Sequence, residues 1–512
     1  MSDYSDNNRR LVKNTTLLYF RMLLTMGITL YTSRVVLRAL GVEDYGIYDL
    51  VGGLVALFSV ISSTLSVAIN RFITYELGAG NQDKLNKVFS TSINLQIFVI
   101  LILIITSETL GLWYLNHKMV IPLERLNAAN WCFQFSIVTF AVNLINVPYN
   151  ATIIAHERMS AFAYIAIIES IGQLFVAWGI MVTPNDRLIS YSIYMTLFAV
   201  IIRVIYIIYC RRNFEESSYH FVFDISLMKQ MFGFVGWAFI GVSAWGIKRY
   251  GSIILVNLFF GPLVNAAYAI ATQVESAINS FSNNFMMALN PQIIKAYAED
   301  KKEYMFKLIY QGARYSSYIM LLISLPLFLD THFFLVLWLE KVPDHTVLFV
   351  KLIVLMTMLN STGSTLTTAQ IATGKIKNYQ LVVSPIGLMT IPISYLFFRK
   401  GAIPELLVVV SIIVSQVSLI ASLIMIHKMI GIGIFDFFKE VYLNILKVGT
   451  AALALPLLVK ILINESFLNS LLTIFLSVGC TIVAVVYIGM SQKERQFLYF
   501  KANQLVVKLR RI

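Results

Sequence analysis

Apolar runs of about twenty residues recur from one end of this 512-residue chain to the other, each long enough to cross a bilayer as a helix. Hydropathy marks fourteen of them, near 14–37, 47–69, 88–110, 129–146, 161–183, 188–210, 232–259, 263–288, 308–329, 347–366, 381–398, 405–427, 443–463 and 470–489. A chain built this way must satisfy its backbone inside each run, so it reads as an all-α polytopic membrane protein. Composition agrees: 13% of residues are charged, against about 25% in a soluble domain. The polar start MSDYSDNNRRLVKN is followed by no small-residue cleavage site, so the first run reads as a retained helix.

The net charge of +13 raises the question of nucleic acid, and the distribution of cations answers it. Of the 40 Lys and Arg, 25 fall in the termini and alternate loops on one side, 7 in the loops on the other, and 8 within the runs. By the positive-inside rule the richer side is cytoplasmic, which puts both termini there. The charge is topological, and no nucleic-acid partner is implied. The polar break 211–229 reads as a linker, partly an interfacial amphipathic helix. The basic, apolar-studded tail 491–512 reads as a segment lying on an anionic leaflet.

Several chemistries are excluded. Cys132, Cys210 and Cys480 lie in or at the ends of apolar runs, and the six histidines are scattered, so no metal set or disulfide framework forms. The string Ala372-Thr373-Gly374-Lys375-Ile376 lacks the spacing and hydroxyl of a phosphate loop. No cofactor and no catalytic residue are expected, and energy must come from an ion gradient (H+ or Na+), a counter-substrate or product consumption.

The stretch Phe232–Pro291 is the most informative. Its two runs meet at a turn, Gly261-Pro262, and the first carries Lys248 and Arg249 at its middle. A centred Lys or Arg costs on the order of 3 kcal/mol to insert, so the chain must use or solvate this pair. Gly236, Gly241, Gly246 and Gly251 punctuate the same helix and mark it as a bending element, with close helix packing as the alternative. Elsewhere in the runs lie Arg21, Arg203 and Arg314 as candidate substrate-binding cations, with Glu169 and Glu275 as charge partners or coupling groups. Arg34, Lys351 and Lys460 sit near run ends, where snorkelling suffices.

A shift of 220 residues lays the start of the chain onto this stretch. It pairs Val36 with Val256, Gly41 with Gly261, Tyr48 with Tyr268, Ser62 with Ser282, Ala68 with Ala288, Asn70 with Asn290 and Lys87 with Lys307. Ile154-Ala155 resembles Ile371-Ala372 at a shift of 217. A six-run offset preserves orientation, so the halves are expected as parallel repeats. The expected domains are 1–225 (spans one to six with the linker), 226–435 (spans seven to twelve) and 436–512 (spans thirteen and fourteen with the tail).

RVVLRALGVEDYGIYDLVGGL (34–54), VPYNATIIAHERMSAF (147–162) and, within 257–298, NLFFGPLVNAAYAIATQV and NPQIIKAYA carry a family likeness. In order along the chain they resemble the polysaccharide (O-unit) flippases, within the multidrug/oligosaccharidyl-lipid/polysaccharide exporter superfamily. The resemblance implies two six-helix lobes around a V-shaped cavity, two further C-terminal helices, and residence in a bacterial inner membrane. It implies the turnover of an undecaprenyl-pyrophosphate-linked oligosaccharide (an O-antigen, capsule or exopolysaccharide repeat unit) from the inner to the outer leaflet, alongside other polysaccharide-assembly proteins. Two rivals stand beside it. A cation-coupled multidrug exporter of the same fold would favour acidic residues, whereas the runs hold eight cations and two acids. A membrane-embedded polymerase or acyltransferase would need a catalytic cluster, and the external segments 111–128 and 330–346 offer none.

Overall fold

The computed structural model describes residues 2–56, 58–117, 119, 121–222, 224–339, 342–462, 466–492 and 494–496. Most of the basic tail, 497–512, lies outside the described residues, as does the side chain of Pro262. The principal helices are α1 (Ser2–Ala56), α2 (Ser59–Ala79), α3 (Gln82–Thr106), α4 (Leu126–Ala155), α5 (Met159–Gly179), α6 (Arg187–Asn213), α7 (Ile225–Ala298) and α8 (Lys302–Leu329). After them come α9 (Thr346–Asn360), α10 (Ser364–Thr373), α11 (Lys377–Leu388), α12 (Thr390–Phe398), α13 (Leu406–Ile430), α14 (Leu443–Leu462) and α15 (Phe467–Ala484). Among the described residues, 12 helices are long and apolar enough to cross a membrane. Of the two expected spans missing from that number, 47–69 is divided between α1 and α2 at residue 57, which lies outside the described residues, and 263–288 is helical but more polar, carrying Asn265, Gln273, Glu275, Ser276 and Asn279.

Two of these helices are broken by one residue each. Gly41 inside α1 has φ 83° and ψ 170°, and Gly261 inside α7 has φ 79° and ψ −175°. That region is open essentially to glycine alone. The expected Gly261-Pro262 turn is thus a one-residue break, with Pro262 at the first position of the resumed helix, where its missing N–H is harmless. The 220-residue offset holds beyond these two points. Gly80 (φ 70°) and Asp300 (φ 55°) are left-handed at that offset, and α3 and α8 begin at it, while Glu157 (φ 57°) and Gly374 (φ 70°) match at 217.

The chain divides into two compact units, Met1–Val242 with Ile294–Lys301, and Ser243–Ile293 with Lys302–Ile512. In the first, Ile47, Val51 and Val55 pack on Leu103 of α3 and on Cys132 and Phe133 of α4. In the second, Val256, Ala267 and Ala271, from both sides of Gly261, pack on Phe349, Val350 and Ile353 of α9. Between helices in lipid, dispersion and polar contacts replace the hydrophobic drive. Such contacts join Thr139 to Thr196 at 2.8 Å, Ser282 to Ser316 at 2.8 Å, and Thr368 to Asn290 at 2.7 Å.

The linker departs from expectation. Between Asn213 and Ile225 it is one 3-10 turn (Glu215–Ser217) and extended chain, with no amphipathic helix among the described residues. Its alternating Tyr219, His220, Phe221 and Val222 favour extension. It is also pinned: Asn94 Nδ2 donates to the Val222 carbonyl (2.9 Å), and the Tyr219 hydroxyl donates to Asn94 Oδ1 (2.8 Å). Buried Glu216 meets His156 Nε2 at 2.6 Å, under the stacked ring of Phe214. Burial pushes the Glu216 carboxyl up, but hydrogen bonds from His156, its own backbone amide and Gln82, with the His156 charge, together hold it below its usual range.

Candidate functional site

The Gly261 break folds α7 back on itself, so residues equally far before and after it become neighbours. Arg249 Nη2 donates to Ser276 Oγ at 3.3 Å, and Glu275 lies in the electrostatic field of both Arg249 and Lys248. Glu275 is thus near the pair for which the sequence names it as a charge partner, and Ser276, 27 residues from Arg249, joins it because the two lie at similar distances on either side of the glycine. Neither Lys248 nor Arg249 closes a contact ion pair among the described residues. The Arg249 guanidinium lies 5.3 Å from the centre of the Trp245 ring, one turn earlier. This hairpin therefore offers two cations against one acid, with a planar fork suited to paired phosphate oxygens and an ammonium acting as a point charge.

The other cations of the apolar runs are differently placed. Arg203 is 7% exposed; its Nη1 donates to Asn146 Oδ1 (2.9 Å) and its guanidinium lies over the Tyr149 ring (4.4 Å). Arg21 lies over the Phe162 ring at 4.7 Å. Tyr206 stands in the fields of both Arg21 and Glu169, which brings those two sequence candidates together within the first unit. Asn146, Tyr149 and Tyr206 escaped sequence reasoning because neutral partners give no charge signal. Arg314 belongs to a different assembly. It faces Glu440 (3.9 Å) and Glu494 (3.7 Å), while Gln311 donates to Glu494 (2.7 Å) and Tyr318 donates to Asn444 (2.6 Å) and to the Gly489 carbonyl (3.1 Å). It docks α14 and the segment after α15 onto α8. Lys460, near the end of α14, pairs with Asp330, just past the far end of α8.

A cavity of about 300 Å3 in the first unit is neutral, lined by Tyr48, Ser59, Ser136, Thr139, Asn143 and Ser192 among others. The four glycines before the break all lie in continuous helix. A Cβ on Gly236 or Gly246 would meet nothing within 4 Å, whereas one on Gly251 would come within 2.6 Å of Ile391 Cδ1. Gly251 thus has a packing reason that the other two lack.

A family model described as polysaccharide biosynthesis protein matches residues 11–297. The chain belongs to that family. It is 20% identical over 308 residues to the uncharacterized membrane protein EpsK of Bacillus subtilis, a match covering 59% of this chain and 60% of that one. Among solved structures, it is similar to the Vibrio cholerae MATE transporter VcmN in its bent form, with TM-score 0.71 and 16% identity over 86% of this chain and 100% of that one. It is likewise similar to a MOP-superfamily transporter of Pyrococcus furiosus, with TM-score 0.69 and 13% identity over 83% and 96% of the two chains. The fold is that of the MATE transporters, and this family member is a multi-pass membrane protein of polysaccharide biosynthesis.

Proposed function

We propose that this protein is a flippase that carries a polyprenyl-pyrophosphate-linked oligosaccharide from the inner to the outer leaflet by alternating access. The observation that carries the reading is the Lys248–Arg249 pair, held mid-helix beside Ser276 with a single acid, Glu275, in its field. An apolar helix keeps such charges only where they are solvated or used, and a pyrophosphate matches their sign and the guanidinium fork. Arg21 and Arg203 are further candidate substrate-binding cations within the first unit, and Glu169 and Glu275 are the candidate sites for H+ or Na+ coupling. The cation distribution supports cytoplasmic termini, and the family supports a bacterial inner-membrane location, where the chain would work with other polysaccharide-assembly proteins.

The second reading is a multidrug exporter, which the MATE neighbours favour. Organic-cation substrates call for net negative sites, and this hairpin has the opposite balance. The P. furiosus transporter is described as having a binding pocket of reverse polarity suggesting a different function, a precedent for the same fold with altered charge. Reconstitution into proteoliposomes separates the readings. Lipid-linked oligosaccharide should become accessible across the bilayer while cationic dyes are not moved; dye export without lipid-linked sugar turnover overturns the flippase reading.

A further inference from the structure

Between Ser243 and Phe260, α7 has a clear outer and inner side. At about 100° per residue, exposed Ile247, Tyr250, Ile254 and Leu258 fall on one arc, and buried Ala244, Ser252, Leu255 and Val256 on the opposite one. Trp245 falls inside the second arc and is nevertheless 59% exposed. Its exposure is therefore not exposure to lipid: the inner side opens at this level and leaves an indole face uncovered. One turn on, Arg249 lies 5.3 Å from that ring and is tied by Ser276. A guanidinium over one part of an indole that is still 59% exposed makes a two-part surface, one part for an anion and one for an apolar face.

We propose that Trp245 is the stacking platform for the first sugar of the lipid-linked oligosaccharide, the one attached to the pyrophosphate that Arg249 holds. A pyranose carries its C–H bonds on its faces and its hydroxyls around its rim, so it stacks on an indole while its rim hydrogen-bonds elsewhere. Gln273, Ser276 and Asn283, at spacings of three and seven along the resumed half of α7 and all exposed, supply such partners. The 5.3 Å between the Trp245 ring and the Arg249 guanidinium is short enough for one glycosyl phosphate to meet both. The inference rests on the flippase reading and assigns it a saccharide subsite.

The test uses the full chain in lipid nanodiscs and two probes, undecaprenyl pyrophosphate and undecaprenyl-pyrophosphate-linked N-acetylglucosamine. Trp245→Leu keeps apolar bulk and removes the ring; Trp245→Phe keeps a ring. Trp245→Leu should weaken binding of the sugar-bearing probe about tenfold and leave the sugar-free probe within twofold, with Trp245→Phe close to wild type for both. Equal effects of Trp245→Leu on both probes, or none on either, overturn the platform while leaving the flippase reading intact. If the wild-type chain binds neither probe, the flippase reading fails and the inference falls with it.

Discussion

The helices around Gly41 and around Gly261 share one backbone device and differ in what they carry. Both glycines occupy the same glycine-only conformation, 220 residues apart. At that offset, Lys248 and Arg249 correspond to Ile28 and Thr29, Glu275 and Ser276 to Val55 and Ala56, and Trp245 to Thr25. The first hairpin keeps Val55 in an apolar core and lies beside a neutral polar cavity; the second holds a cationic cluster. A repeated fold thus leaves each half free to specialise, because a break made by one glycine places side chains without specifying them. The cation pair with an acid in its field stands at one of two geometrically equivalent places.

The largest expected effect tests that asymmetry. Lys248→Gln or Arg249→Gln should lower lipid-linked sugar turnover by at least about a hundredfold with near-normal protein abundance, since a charge contact to substrate is lost and no described ion pair is broken. Introducing the pair into the first hairpin, at Ile28 and Thr29, should not restore it. Recovery of transport would show that the halves are interchangeable. Arg399→Ala, whose guanidinium lies 6.0 Å from the Tyr395 ring, is the control expected to be nearly silent.

A second contrast separates cations held in ion pairs from the proposed substrate-binding pair. Arg314→Met leaves Glu494 without its cation, and losing one partner of a buried pair destabilises by about 3–5 kcal/mol, less here because Glu440 is half exposed. A thermal melt should fall by several degrees, and transport should fall only in proportion to folded protein. Burial raises the Glu494 carboxyl, but the Ser491 amide, Tyr315 and Arg314 together hold it below its usual range. Its contribution is therefore complete above the unfolded value of about 4.3 and is lost as pH falls below that. Acid should erase the difference between wild type and Arg314→Met.

The smallest effects concern the glycines. Gly41→Ala and Gly261→Ala should each cost about 1–3 kcal/mol, similar in size, because a Cβ at either site meets nothing and only the backbone is strained. Unequal costs would mean that the two breaks are not equivalent. Gly246→Ala should stabilise the helix by up to about 1 kcal/mol; if turnover then drops while binding is kept, the helix bends there during the cycle. Gly251→Ala must displace the end of Ile391 and serves as the packing comparison.

Most of the fold was legible in the residues, because a membrane leaves few alternatives. Apolar length and period predict the helices, and the 220-residue offset predicts Gly41 and Gly261 as partners. The span count is less firm: hydropathy along the sequence marks fourteen runs, twelve described helices are long and apolar enough to cross, and 263–288, lined with Asn, Gln and Ser, falls below that measure. The partial interfacial helix expected in the linker is absent between Asn213 and Ile225 among the described residues, because Asn94 and Ser90 hold the chain extended there.

By itself the sequence determined the membrane class, the repeat, the family and the presence of unusual charges at depth. Those follow from transfer energies and backbone conformations, which act residue by residue. Only the tertiary structure decided what each charge does. Arg203, Arg314 and Arg249 look alike within apolar runs, yet one lies against an amide and a tyrosine ring, one docks the last helices, and one stands beside an uncovered indole. Their partners lie from 4 to 180 residues away along the chain, and the energy of a buried charge depends on those partners rather than on the run that contains it.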